Sequence, residues 1–300
     1  MPTVSANGID ICYDVRGQGV PVLLIMGIGC QLIHWRDDFC DLLAAQGCCV
    51  IRMDNRDMGL TTHMDGQRPP TLAQMATRRA AGLPIAAPYQ LQDMAKDAFG
   101  LLTALGHERA VIVGASMGGM IGQTMAIGQP DRVAGLVSIM SHTGERRFLV
   151  GRPGAIKSLI GGGAPRSEDE AAERVVHIMA ALGSPAYPTD ESAYREMGRL
   201  AYRRDSDPRG FGRQLAAILA SGSRAKQLPS ITAPTLVIHG VEDQLIPVTA
   251  GRRTAKLIPG AELWEVEGMG HDLPAQLWPA LTERIGAFVR DVSRGSTASA

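Results

Sequence analysis

Gly114-Ala115-Ser116-Met117-Gly118 sets a serine between two glycines, just after an apolar run at 110–113 and just before Gly119 and a helix-like segment. A G-x-S-x-G pattern in that setting fits a sharp strand-to-helix turn that lifts the serine hydroxyl above a sheet. The bare pattern arises by chance in roughly 0.2 of chains this rich in glycine and serine, so the flanks carry the weight. Two later residues complete a set. Asp243, in His239-Gly240-Val241-Glu242-Asp243, follows the apolar run 234–238, and His271, in Gly268-Met269-Gly270-His271-Asp272, follows a run ending at Val266. Serine, then aspartate, then histidine is one chain order in which a hydrolytic triad is built. Each residue falls beyond the carboxyl end of an expected parallel strand, where open α/β sheets place their sites.

The chemistry this implies is acyl transfer. Ser116 attacks an ester carbonyl, neutral His271 takes its proton and returns it to the leaving alcohol, and Asp243 fixes the imidazole tautomer. The oxyanion needs preorganised donors, for which the backbone N–H groups of Met117 and of Ile28, in Met26-Gly27-Ile28-Gly29, are the candidates. Glu242 and Asp272 compete with Asp243 as the carboxylate. Adjacent side chains rarely point at each other, so Asp272 reads as a solvated or helix-capping group. His239 reads as a loop-positioning residue, and His34 and Trp35 either line the pocket or pack in the core. No C-x-x-C or H-E-x-x-H occurs, so no metal and no cofactor is expected.

The elements that must position these residues alternate. An Asn7-Gly8 pair between two short strand-like runs predicts a type I′ hairpin. Apolar runs at 21–26, 48–53, 110–113, 133–140, 234–238 and 262–266 read as buried strands of a parallel sheet. Helix-like stretches at 33–46, 91–105, 119–128, 249–257 and 279–292 fall between or after them, which implies a doubly wound α/β sheet with helices on both faces. The alternation breaks after His142, where an Arg-rich segment shows helical patches at 168–182 and 211–219. Residues 142–230 therefore read as an inserted helical lid, with residues 1–141 and 231–300 as the core. A smaller insertion at 57–89, with a helix-like 72–81, is too long for a plain connection. Gly161-Gly162-Gly163 reads as a flexible joint or a surface turn, and the tail 293–300 as frayed.

Three hundred residues suit one large α/β domain with an insertion. Thirty basic and thirty acidic side chains give no net field for a polyanion, so nucleic acid is a poor partner; the expected partner is a small-molecule ester, with the protein a monomer or homodimer. The longest apolar stretch is broken by Pro21, Gly27 and Gly29 and is shorter than the ~20 residues of a membrane span. No basic start and apolar run opens the chain, which points to the cytoplasm. All five cysteines lie before residue 50 and read as reduced thiols. Gly27-Ile28-Gly29 imitates a dinucleotide fingerprint but lacks its third glycine. The Arg146-Arg147 and Arg203-Arg204 pairs read as a solvated face, with a faint hint of an acidic substrate.

With these residues in place, the chain resembles the α/β-hydrolase superfamily over nearly its whole length, and within it the small bacterial esterases of the group that includes aclacinomycin methylesterase. The resemblance is carried by residues 54–59 (Asp-Asn-Arg-Asp-Met-Gly), the elbow 114–119, Ser138-Ile139-Met140-Ser141, residues 234–240 and residues 268–274. It implies a cofactor-independent serine esterase. Lactonase, methylesterase, perhydrolase or haloperoxidase-like activity, and a slow-turnover ligand-binding relative, share its residues. Many relatives carry His-Gly where this chain has Met26-Gly27, so the oxyanion turn here lacks that ring.

Overall fold

A computed structural model describes residues 1–149, 151–188 and 190–297. Among these, eight strands form one sheet: β1 (Thr3–Ala6), β2 (Ile9–Arg16), β3 (Val20–Ile25), β4 (Cys48–Met53), β5 (Ala110–Ala115), β6 (Val133–Ile139), β7 (Thr235–Gly240) and β8 (Glu262–Val266). Their order is β1-β2-β4-β3-β5-β6-β7-β8. The first two strands pair antiparallel through a turn in which Asn7 and Gly8 both have positive φ, 50° and 77°, as the Asn-Gly pair predicts. Strand β2 is antiparallel to β4, and from β4 to β8 every pairing is parallel.

Side chains of a strand alternate between faces, and the core obeys that period. Leu23, Ile25, Ile51, Met53 and Ile112 point to one face, where α3 (Leu91–Ala104), α4 (Met117–Gly128) and α9 (Val248–Leu257) cover them. Val22, Leu24, Val50, Val111, Val113, Val137 and Ile238 point to the other, against α1 (Asp37–Ala44) and α10 (Trp278–Thr297). Trp35 belongs to this second layer, fully buried with its ring 5.4 Å from Phe39, so it packs in the core. Helix α10 runs through residue 297, so residues 293–297 continue a helix where the sequence reading expects fraying; residues 298–300 lie outside the described residues.

Residues 57–89 hold α2 (Leu72–Ala80), capped by Thr71. Between β6 and β7 the chain departs from the sheet into α5 (Pro153–Ile160), α6 (Glu168–Leu182), α7 (Glu191–Arg204) and α8 (Arg209–Ser221). The two ends of this insert meet: the Arg224 N–H donates to the Thr143 carbonyl at 2.8 Å. Helices α6 and α7 lie together and are laced by exposed pairs, Arg195 to Glu173, Arg199 to Asp169 and Arg203 to Glu168. Arg203 is thus paired within the insert, in keeping with its reading as part of a solvated face. The triple glycine is a fastened turn, since Arg174 donates to the carbonyls of Leu159, Gly161 and Gly163.

The insert is fixed to the core by buried charge. Arg213 of α8 pairs with Asp57 at 2.8 Å, both fully buried, and Arg204 at the end of α7 pairs with the buried Asp54 at 2.5 Å. The Gly59 N–H adds a bond to Asp205 at 3.0 Å. No helix among the described residues is long and apolar enough to cross a membrane.

Candidate active site

Ser116 stands at the junction of β5 and α4 with φ 55° and ψ −115°, a left-handed backbone that a non-glycine residue adopts only under restraint. The restraint is visible. The Ser116 N–H donates to the Ile139 carbonyl at 2.9 Å, and its own carbonyl accepts from Gly119 N, Met120 N and the Ser141 hydroxyl. The flanking glycines are forced by contact: a Cβ at Gly114 would lie 2.2 Å from the Gly118 carbonyl oxygen, and one at Gly118 would lie 1.9 Å from that of Ile25. The hydroxyl is thereby raised at the carboxyl end of the central strand.

Asp243 and His271 arrive from the next two loops, which are tied together by Val241 N to Val266 O at 3.1 Å and Glu242 N to Met269 O at 3.1 Å. His271 Nδ1 lies 2.7 Å from Asp243 Oδ2, and its Nε2 lies 3.2 Å from Ser116 Oγ. An ionised carboxylate only accepts, so Nδ1 carries the proton and Nε2 is left to accept from the serine hydroxyl. The other Asp243 oxygen accepts from Leu245 N at 2.9 Å and Ile246 N at 2.8 Å. Burial alone would raise the Asp243 carboxyl, but the imidazoles of His271 and His239 outweigh it and hold it well below the usual carboxylate range. His239 is fully buried and its Nε2 meets the Ile246 carbonyl at 2.8 Å, which fixes the loop that carries Asp243.

Met117 opens α4 directly after Ser116, and Ile28 sits in the turn after β3. Neither N–H donates to an acceptor among the described residues. Gly27 brings this turn against Ser116, since a Cβ there would lie 3.2 Å from the serine Cβ. The structure thus gathers Ser116, Asp243 and His271 into one hydrogen-bonded line, with Met117 next to the serine in the chain and the turn that carries Ile28 against it through Gly27. His34 is held by the backbone of Gln31.

Asp272 differs from its sequence reading. It is buried and tied to the insert, accepting from the Ser184 hydroxyl at 2.5 Å and the Tyr194 hydroxyl at 3.1 Å. Burial raises its pKa more than those bonds lower it. Ser184 also accepts from the Gly270 N–H at 2.9 Å, and the His271 N–H donates to the Leu182 carbonyl at 2.7 Å. The end of α6 therefore grips the histidine loop. Sequence reasoning missed this, and also His142 just past β6. His142 Nδ1 accepts from the Gly144 N–H, and burial, with the nearby Arg224 cation, pushes its pKa down to about 3, so it is a neutral neighbour of His271. No motif marks these residues in one chain; only His142's place after a parallel strand hinted at it.

Residues 22–285 match the alpha/beta hydrolase family. Rhodomycin D methylesterase of Streptomyces sp. (strain C5) is 28% identical over 315 aligned residues, covering 97% of this chain and 99% of its own. The rhodomycin D methylesterase of Streptomyces peucetius is 27% identical with the same coverage. Among solved structures, a meta-cleavage product hydrolase from Pseudomonas fluorescens IP01 superposes with TM-score 0.73 at 22% identity, covering 99% of this chain and 98% of that one. The enol-lactonase from Burkholderia xenovorans LB400 gives TM-score 0.69 at 22% identity, covering 99% and 100%.

Proposed function

The chain belongs to the alpha/beta hydrolase family, and from that premise we propose that it is a cofactor-independent serine hydrolase that cleaves a carboxylic ester through Ser116, His271 and Asp243. The observation that carries this reading is the unbroken line from Asp243 Oδ2 through the imidazole to Ser116 Oγ, at 2.7 and 3.2 Å. The Ser116 oxygen adds to the ester carbonyl as its proton passes to His271 Nε2. The carbonyl oxygen becomes an anion facing the N–H groups of Met117 and Ile28, whose lack of other acceptors suits them to that charge. The imidazolium, steadied by Asp243, then protonates the departing alcohol and leaves an acyl-serine. Water, deprotonated by the same nitrogen, releases the acid and restores the serine.

The narrower reading is a methyl ester, supported by the two methylesterase relatives that match nearly the whole chain. Residues 142–230 act as a lid over the carboxyl end of the sheet, a role supported by the grip of α6 on the histidine loop.

The test is intact mass after treatment with a fluorophosphonate, with wild type and Ser116→Ala side by side, and turnover of short and medium p-nitrophenyl esters. Labelling and turnover that disappear together in the variant are the expected result. A folded wild type that neither labels nor turns over any ester overturns the reading in favour of a binding protein. Methanol release from methyl esters without opening of lactones supports the narrower substrate.

A further inference from the structure

A buried primary amide must use both of its ends, because either end left bare costs its full desolvation. Gln214 of α8 is fully buried and uses both ends across the boundary between insert and core. Its Oε1 accepts from the Gly29 N–H at 2.9 Å, and its Nε2 donates to the Arg56 carbonyl at 3.0 Å. One turn earlier on the same helix, Phe211 lies over Gly29, 2.8 Å from where a Cβ would stand. From the core side, Asn55 Nδ2 donates to the Met26 carbonyl at 3.0 Å. The turn 26–29 is therefore held at its start by Asn55 and at its end by Gln214. Between those two anchors lies the Ile28 N–H, which has no acceptor among the described residues.

We propose that Gln214 is a positioning residue, an amide carried by the insert that aims the Ile28 N–H at the oxyanion formed on Ser116. The inference rests on the serine-hydrolase reading. A donor that meets its charge only in the tetrahedral state contributes to the transition state and hardly to substrate binding. A turn freed at one end therefore lowers the rate and leaves the Michaelis complex nearly as it was.

Gln214→Met keeps the side-chain length and removes both bonds. The expected outcome is a fall in kcat of about 10- to 100-fold on a p-nitrophenyl ester with KM within about twofold, the scale of an ~1 Å misplacement. Affinity for a trifluoromethyl ketone, whose serine adduct places an oxyanion in the site, falls by a similar factor, while the matching methyl ketone binds as before. A residue that only braces the insert would weaken both ketones alike and raise KM, and that result overturns the proposal. So does a folded Gln214→Met with wild-type kcat and wild-type discrimination between the ketones. Should the methionine variant fail to fold, Gln214→Asn carries the same measurement. Its amide is one methylene too short to reach the Gly29 N–H, so kcat and ketone discrimination both drop, and wild-type values overturn the proposal. Ser116→Ala is measured alongside. Turnover that survives there sinks the serine-hydrolase reading itself, whereas an inactive Ser116→Ala beside an unaltered Gln214→Met sinks only the role of Gln214.

Discussion

The sheet and the helical insert are held by different balances of apolar and polar contact. Strand β5 is buried along its whole length, and both faces of the sheet are closed by Leu, Ile, Val and Phe. Helix α7 buries only Met197 and Gly198; the insert packs Met197, Ala217 and Ile218 against the core and adds the polar contacts of Arg213 with Asp57, Arg204 with Asp54, Gln214 with Gly29, and Ser184 and Tyr194 with Asp272. Apolar burial is non-directional and tolerates substitution of like for like, whereas each of those polar contacts requires two particular side chains. The core thus carries Ser116, Asp243 and His271, and the insert adds pairwise restraints on the loops beside them.

The sharpest way to break that division is to exchange carboxylates. Asp243→Asn is expected to keep the fold and lower kcat by about 10³- to 10⁴-fold, because the imidazole then loses the tautomer it needs. Ester turnover together with thermal unfolding checks this; near-full activity would put the essential carboxylate elsewhere. Arg213→Met tests the insert's attachment. It strands the buried Asp57 and is expected to cost about 3–5 kcal/mol in urea unfolding, much of it recovered in the double variant Arg213→Met/Asp57→Asn, since asparagine is neutral, tolerates the φ of 68° there and still accepts from the Met64 N–H. Asp272→Asn, one residue from the imidazole but bonded to the insert, is expected to lower kcat by only about tenfold or less through loosening of the histidine loop. A loss as large as that of Asp243→Asn would make Asp272 part of the chemistry. Smallest is Arg199→Ala, which removes an exposed pair between α6 and α7 and is expected to shift stability by about 0.5 kcal/mol or less, a difference that fades at high salt.

The same contrast decides what the residues alone reveal. Strand β8, read as buried, buries only Val266, but β4 coincides with an apolar run, and the elbow glycines are marked because backbone sits where a Cβ would go. Such constraints act within a few neighbouring residues and leave a local pattern. Helix α7 leaves none: its sequence is mostly Arg, Glu and Tyr, and its partners are carboxylates on α6, more than twenty residues away. Gln214 and Gly29 are 185 residues apart, and nothing in either neighbourhood names the other. Asp272 misled for a related reason: its adjacency to His271 made it read as a solvated or helix-capping group, whereas two hydroxyls from the insert bury it.

The meeting of the insert's two ends at Thr143 and Arg224 has a consequence for how such a chain can change. Everything between them leaves and re-enters the sheet through a doorway one hydrogen bond wide, so its length can grow or shrink without moving β6 or β7, and loop closure charges little for the difference. A truncated version bridged by a short linker would retain the serine, the imidazole and the aspartate. It would lose Leu182, Ser184, Tyr194 and Gln214 together, and with them every tether the insert places on the histidine and oxyanion loops. Replacement of this cassette therefore changes the tethers on both loops in one event, while the framework beneath keeps its own packing.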